Sequence, residues 1–269
     1  MRVVRIDGAE FRGPAAPPRS RLDARAGPGL LETMRARRGC IAHRTAHLAR
    51  LAASRTALGL PAAPPASRIA SELDALLEAC PGDDLLVRLV VGPGALVVEA
   101  APLMALPLAP GVQTAVTRAG AWCPAHAAAE HKHTERRHWR DAEAAATAAG
   151  ADIVIATDAA GCLGEASRAS VFVVDGGVLQ TAPVEGLLPG IGRAAVIELA
   201  GAVVEESLPA ERWRAADEIF TVSALRGVIA VTAIDGAPVG HGTPGPTTRH
   251  LAMAFRQRVI DATAAGRRP

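Results

Sequence analysis

Of the 29 lysine and arginine residues in this 269-residue chain, 28 are arginine and one, Lys132, is lysine. An arginine stays protonated at any working pH, whereas a lysine amine can lose its proton, attack a carbonyl and later act as a base. A lone lysine in such a background therefore directs attention to amine chemistry, with a leftover surface cation as the plain alternative. Around it stand His126, His131, His133 and His138, with Glu130 and Asp141 close by. These could offer nitrogen and oxygen ligands, so a histidine-bound metal hydrolase is a second reading, although the spacing matches no zinc pattern. Phosphate-loop, GxGxxG, GxSxG and HExxH motifs are all missing.

The elements that must position these residues can be read from periodicity. A short strand at Val3 to Ile6 precedes a Pro/Gly-rich stretch, Gly13 to Gly29, expected to be loop. Helical spacing of apolar and small residues predicts a helix from His43 to Leu58, stopped by Gly59 and Pro61, and another over Ser67 to Ala79 with Ser67 as its N-cap. Leu85 to Val91 and Ala95 to Ala100 flank Gly92-Pro93-Gly94 and read as a hairpin. The second half opens with a strand at Val112 to Thr117, then a histidine-containing loop and a helix from about Glu135 to Ala149. Strands follow at 152–156, 171–174, 178–181, 203–207, 219–223 and 228–234, with helices at 190–201 and 247–264. The class is α+β, with a domain at 1–105, a linker at 106–112 and a domain at 113–269 carrying Lys132.

Composition narrows the function classes. The chain is 49% apolar and 21% charged, enough for a sizeable core, and its net charge of +2 is dispersed rather than gathered into a basic arm. Disorder and nucleic-acid binding are therefore disfavoured. The opening Met1 to Asp7 is too interrupted by charge for a signal peptide. Ala95 to Val112 carries Pro102, Pro107 and Pro110, which argues against a membrane span. Cys40, Cys80, Cys123 and Cys162 form no CxxC pair, so a cytoplasmic setting is expected.

Ordered motifs then add a resemblance. His131-Lys132-His133-Thr134-Glu135-Arg136 resembles the HKxxxR lysine segment of the fold-type IV pyridoxal-phosphate enzymes, the class IV aminotransferase family. Gly161-Cys162-Leu163-Gly164-Glu165 is similar to that family's turn bearing the glutamate that pairs with the coenzyme's pyridine nitrogen. Ser170 to Val174 and Thr181-Ala182-Pro183 resemble its following strands. Leu188-Pro189-Gly190-Ile191-Gly192-Arg193 is similar to LPGITR, which starts a helix under the coenzyme phosphate. Ala216 to Phe220 resembles A-D-E-[VL]-F, and Ser223-Ala224-Leu225-Arg226-Gly227-Val228 resembles N-S-L-R-G-V. In the first half, Gly29 to Arg35 looks like GLFETIR, and His47-Leu48-Ala49-Arg50-Leu51 looks like HLxRL, whose arginine grips the phosphate.

The resemblance implies a two-domain fold: a small N-terminal α/β sandwich and a larger C-terminal β-barrel-like domain with helices. It implies pyridoxal 5'-phosphate between the domains and a homodimer completing the pocket. Lys132 would be the catalytic residue and covalent anchor. Arg50, Glu165, Ile191, Gly192, Ser223 and Ala224 would contact the coenzyme, while Glu32, Thr33, Arg88 and Arg226 are candidates for a pocket that takes a small amino-acid-like substrate. The chemistry is consistent with these residue types, since the coenzyme needs an amine, a carboxylate at the ring nitrogen and donors for its phosphate.

Several positions depart from the family pattern. Gly192 replaces a threonine, Ala224 and Leu225 stand where some transaminases have another, and Ser170 replaces an asparagine, which together predict a looser phosphate grip. Pro93 occupies the place of the arginine that binds a substrate carboxylate in D-amino-acid transaminases, and tyrosine is absent from the chain. The short chain and the S-A-L-R-G-V turn favour an aminodeoxychorismate lyase-like enzyme that removes a proton and eliminates pyruvate. A class IV aminotransferase is the alternative, and a scaffold that no longer binds the coenzyme is a third possibility.

Overall fold

A computed structural model describes residues 1–60, 64–120 and 127–264. His126 and Cys123 lie outside the described residues. Compactness divides the chain into two units, one formed by 1–105, the segment 132–135 and the end of the last helix from Val259, the other by 106–131 and 136–258.

The first unit is built on β1 (Val3–Ile6), β2 (Ala9–Arg12), α1 (Arg19–Ala26), β3 (Leu30–Arg37), β4 (Cys40–Ile41), α2 (Arg44–Ala57), α3 (Ala66–Ala79), β5 (Leu85–Val91) and β6 (Leu96–Pro102). Its antiparallel sheet has the order β2-β1-β6-β5-β3-β4. Alternation along the strands sends successive side chains to opposite faces. Leu30, Met34 and Ala36 join Leu51 of α2 and Leu73 and Leu76 of α3 on one face. Leu31, Val90 and Val97 join Leu22 and Ala26 of α1 on the other.

Helix α1 lies inside the stretch expected to be loop. Its Pro18 N-cap is compatible with a helix start, Gly27 at φ +72° ends it, and burial of Leu22 and Ala26, one turn apart, holds it on the sheet. Helix α3 begins one residue earlier than expected, with Pro65 and not Ser67 at the N-cap, and no side chain caps it.

In the second unit come β7 (Gly111–Arg118), α4 (Arg137–Ala148), β8 (Ile153–Thr157), β9 (Leu163–Ala166), β10 (Ser170–Asp175), β11 (Val178–Thr181), α5 (Ile191–Ala200), β12 (Val204–Glu205), α6 (Ala210–Trp213), β13 (Glu218–Ser223), β14 (Gly227–Ile234), β15 (Ala237–Pro238) and α7 (Pro246–Ala264), which runs on into the first unit. Its mixed sheet follows β12-β11-β10-β13-β14-β7-β8-β9, with β15 on β14. β7 extends one residue beyond the expected strand at each end, to Gly111 and Arg118, and Gly111, placed in a linker by sequence, pairs with Ile229 of β14. Ile153, Ile155, Val171, Val173, Trp213, Ile219 and Val231 form much of the core. No described helix is long and apolar enough to cross a membrane.

Candidate functional site

Lys132 sits in a short segment that pairs with the chain just before and within β3. The Leu31 N–H donates to the Lys132 carbonyl at 2.8 Å, Leu30 and His133 form an antiparallel bridge, and the Thr134 N–H donates to the Gly29 carbonyl at 2.8 Å. The Thr134 hydroxyl also accepts from the Gly29 N–H at 3.0 Å. Gly29 can stand there only without a side chain, because a Cβ would lie 2.3 Å from the Val91 carbonyl oxygen and 2.7 Å from the Gly92 Cα. The lysine segment therefore packs with the N-terminal unit, although sequence reading had assigned it to the C-terminal domain.

One residue beyond this pairing, β3 turns Glu32 toward α2. Helical spacing puts His47 and Arg50 one turn apart on the facing side. The Arg50 guanidinium donates through Nε to Glu32 Oε1 at 2.9 Å and through Nη2 to Oε2 at 2.6 Å, and His47 Nδ1 lies 2.7 Å from Oε2. Glu32 and His47 are each 1% exposed. Burial pushes the Glu32 carboxyl up, but hydrogen bonds from His47 and Arg50 outweigh it and the net shift is downward. Burial, aided by the neighbouring charges of Arg50 and Lys132, draws His47 below the ordinary imidazole value despite the Glu32 bond. Glu32 is thus a carboxylate and His47 a neutral ring donating from Nδ1.

The strand's alternation separates the other pocket candidates from this group. Thr33 is opposite Arg88 in the β3–β5 register, on the α1 face, where Arg88 Nη2 donates to Asp23 at 2.5 Å. Glu32 and Thr33 are neighbours in sequence and yet belong to different surroundings.

In the second unit Glu165 is on β9, which pairs with β8, and not in the turn that sequence reading assigned. Arg136 donates to the Ser167 carbonyl, and its charge and that of Glu165 attract one another. Helix α5 begins at Ile191 with Gly190 as N-cap. The backbone of Gly192 approaches the end of β13 so closely that a Cβ would meet the Ser223 carbonyl carbon at 3.0 Å, Val222 Cγ2 at 3.1 Å and the Ala224 nitrogen at 3.2 Å. The start of α5, whose first amides have no partner within the helix, and the Ser223–Ala224 turn are therefore adjacent. The turn is closed by the Arg226 N–H donating to Ser223 Oγ at 3.1 Å, with Arg226 itself exposed. A side chain at 192 would require these neighbours to give by a few tenths of an ångström.

The histidine cluster reads differently in three dimensions. Glu130 accepts from the Gly186 N–H at 3.0 Å, His138 packs against Trp139, and His133 pairs with β3. Among the described residues no three metal-ligating side chains gather.

The sequence of residues 29–234 matches the family model for amino-transferase class IV. The chain belongs to that family. Its coenzyme is pyridoxal 5'-phosphate, and its members are enzymes. The D-alanine aminotransferase of Bacillus licheniformis is 36% identical over 109 residues, 39% of this chain and 38% of that protein. The match thus spans well under half the length of that relative. The branched-chain aminotransferase of Thermoproteus uzoniensis, solved with norvaline, superposes with a TM-score of 0.81 at 26% identity, covering 97% of this chain and 95% of that one. A Legionella pneumophila protein assigned provisionally as a 4-amino-4-deoxychorismate lyase superposes with a TM-score of 0.75 at 22% identity over 86% and 91% of the chains, a likeness of fold. These structures bear out the fold-type IV architecture expected from sequence.

The residues present suit the coenzyme. Lys132 supplies a primary amine, Arg50 a guanidinium held by a buried carboxylate, Glu165 a carboxylate near a cation, and the Gly192 approach a backbone cradle that a Cβ would fill. His47, quoted in the sequence within the HLxRL match but given no role, is the member of this set that sequence reasoning missed. Its signal was its place one helical turn before Arg50.

Proposed function

We propose that this class IV aminotransferase family member binds pyridoxal 5'-phosphate through Lys132 and transfers the amino group of an amino-acid-like substrate. The observation that carries the reading is the placement of the chain's only lysine along β3, beside the strand position whose carboxylate holds Arg50. The bound coenzyme supplies an aldehyde that condenses with amines and a ring that withdraws electrons from the attached carbon. Lys132 would anchor it, and its free amine would be the base that moves the proton at the substrate's alpha carbon. Arg50 would donate to the phosphate, for which the amides at the start of α5 and the Ser223–Ala224 turn are further candidate donors. Glu165 would accept from the ring nitrogen, with the charge of Arg136 close by. Thr33, Arg88 and Arg226 remain candidates for substrate contact, and Glu32 acts through Arg50.

Amino-group transfer is placed ahead of the lyase expectation because the curated relatives are aminotransferases. The lyase reading keeps the support of the Ser223 to Val228 turn. The homodimer and cytoplasmic location implied by the family belong to the same proposal, and sedimentation tests the first.

The deciding experiment adds pyridoxal phosphate to the purified protein and to Lys132→Ala, records the spectra, and maps the borohydride-reduced adduct by mass spectrometry. A yellow band and an adduct on Lys132, both absent from the variant, are expected. Identical spectra, or an adduct elsewhere, would overturn the reading. Keto acid formed from an L-amino acid panel supports transfer, whereas pyruvate released from aminodeoxychorismate without an amino acceptor supports the lyase.

A further inference from the structure

The Glu32 carboxylate has more to do than neutralise Arg50. Its Oε2 receives two donors, Nη2 of Arg50 at 2.6 Å and Nδ1 of His47 at 2.7 Å, while Oε1 receives Arg50 Nε at 2.9 Å. A carboxylate held only by one guanidinium can still swing about its last side-chain bond, taking the guanidinium plane with it. A third donor from a different residue removes that freedom. His47 is that donor, and it comes from the same helix as Arg50, so the three groups form a closed frame between β3 and α2.

The other ring nitrogen shows that packing does not account for the histidine. His47 Nε2 is buried and has no hydrogen-bond partner among the described residues, and the residue is 1% exposed. A buried acceptor without a partner is a cost to the fold that an apolar side chain of similar size would avoid. The return on that cost is the Nδ1 bond to Glu32.

We propose that His47 is a positioning residue for the coenzyme phosphate: through Glu32 it fixes the plane in which Arg50 presents its guanidinium. The Nε–Nη2 edge of Arg50 is taken by Glu32, which sets the plane of the guanidinium that would face a phosphate oxygen. The role rests on the coenzyme reading above and deepens it.

The test uses the full-length protein without coenzyme, titrated separately with pyridoxal phosphate and with pyridoxal, which has the aldehyde and ring but no phosphate. The variants are His47→Ala, His47→Asn and His47→Gln. The Asn amide nitrogen can take the place of Nδ1, whereas that of Gln reaches toward the position of Nε2. Loss of one charge-assisted hydrogen bond corresponds to about a tenfold effect. His47→Ala and His47→Gln are expected to weaken pyridoxal phosphate binding about tenfold and to leave pyridoxal within about twofold of the parent. His47→Asn is expected to recover most of the loss. Unchanged pyridoxal phosphate affinity in His47→Ala would overturn the proposal. So would an equal loss of both aldehydes, which is the mark of general disruption, or rescue by Gln in place of Asn. A parent that binds neither aldehyde sinks the coenzyme reading and this role with it, whereas a parent that binds both alike leaves the lysine reading standing and removes the phosphate role.

Discussion

Replacing Glu32 by glutamine tests the buried frame at its centre. The change keeps the shape but removes the charge, and it offers an NH2 group where His47 and Arg50 both present N–H donors at 2.6 to 2.9 Å. Glu32 is 1% exposed and the Arg50 side chain 9%, so water cannot take over either role. Removing one partner of a buried ion pair costs about 3–5 kcal/mol. Because the glutamine carbonyl still accepts one hydrogen bond, about 3 kcal/mol is the expected loss. At about 1.4 kcal/mol per factor of ten, amides of β3 that exchange by opening of this unit should exchange roughly a hundredfold faster. Hydrogen exchange read by mass spectrometry on peptides covering Leu30–Arg37 in the coenzyme-free protein gives the number directly. Peptides from β10 and β13 serve as the internal reference. Acceleration of less than tenfold in β3 would show that the Glu32 frame contributes little, and the account of Arg50 positioning would have to be withdrawn.

Gly29→Ala forces a Cβ to within 2.3 Å of the Val91 carbonyl oxygen and disturbs the two hydrogen bonds to Thr134; coenzyme binding should be lost while Trp139 and Trp213, which belong to the other unit, keep their fluorescence, and normal binding would contradict the pairing described for Lys132. Gly192→Thr restores the family hydroxyl but crowds Ser223, Val222 and Ala224, so a destabilisation of about 1–3 kcal/mol is expected in thermal melts; an unchanged midpoint with tighter coenzyme binding would refute the packing explanation. Both buried members of the frame titrate to the same effect. The folded His47 value lies below the ordinary 6.5 and that of Glu32 below 4.5, so the unfolded chain takes up each proton first as pH falls. The stability associated with neutral His47 should be complete above about pH 6.5 and decline below it, with a second decline from Glu32 starting near 4.5. Melting curves of the coenzyme-free protein from pH 8 to pH 4 should show the first decline in the parent and not in His47→Asn, and superimposable profiles would refute it.

Local signals in the chain were strong where a whole face is buried. The apolar runs of β5 and β6 around Gly92-Pro93-Gly94, and the periodic faces of α2 and α3, were legible because several buried positions recur at a fixed interval. Helix α1 was not legible, since only Leu22 and Ala26 of its eight residues are buried and prolines and glycines surround it. β2 was missed because its residues are mostly exposed, and β9 because four residues beginning with Leu163-Gly164 resemble a turn. Glu32 read as a pocket residue from its motif, and nothing in its neighbours showed that both oxygens would be taken by a helix more than a dozen residues on.

The amino-acid sequence alone determined which residue could form a covalent bond to an aldehyde, because one primary amine side chain exists in the chain, and it also determined the family through motifs in order. Tertiary structure decided where that amine belongs and what surrounds it. Lys132 lies about a hundred residues from Leu31, and only the folded backbone pairs them. Glu32 and Thr33 are adjacent, and only the strand's alternation assigns one to Arg50 and the other to Arg88. Periodicity and residue chemistry act over a turn or two of chain, whereas hydrogen bonds across a hundred residues form only when burial has brought their partners together.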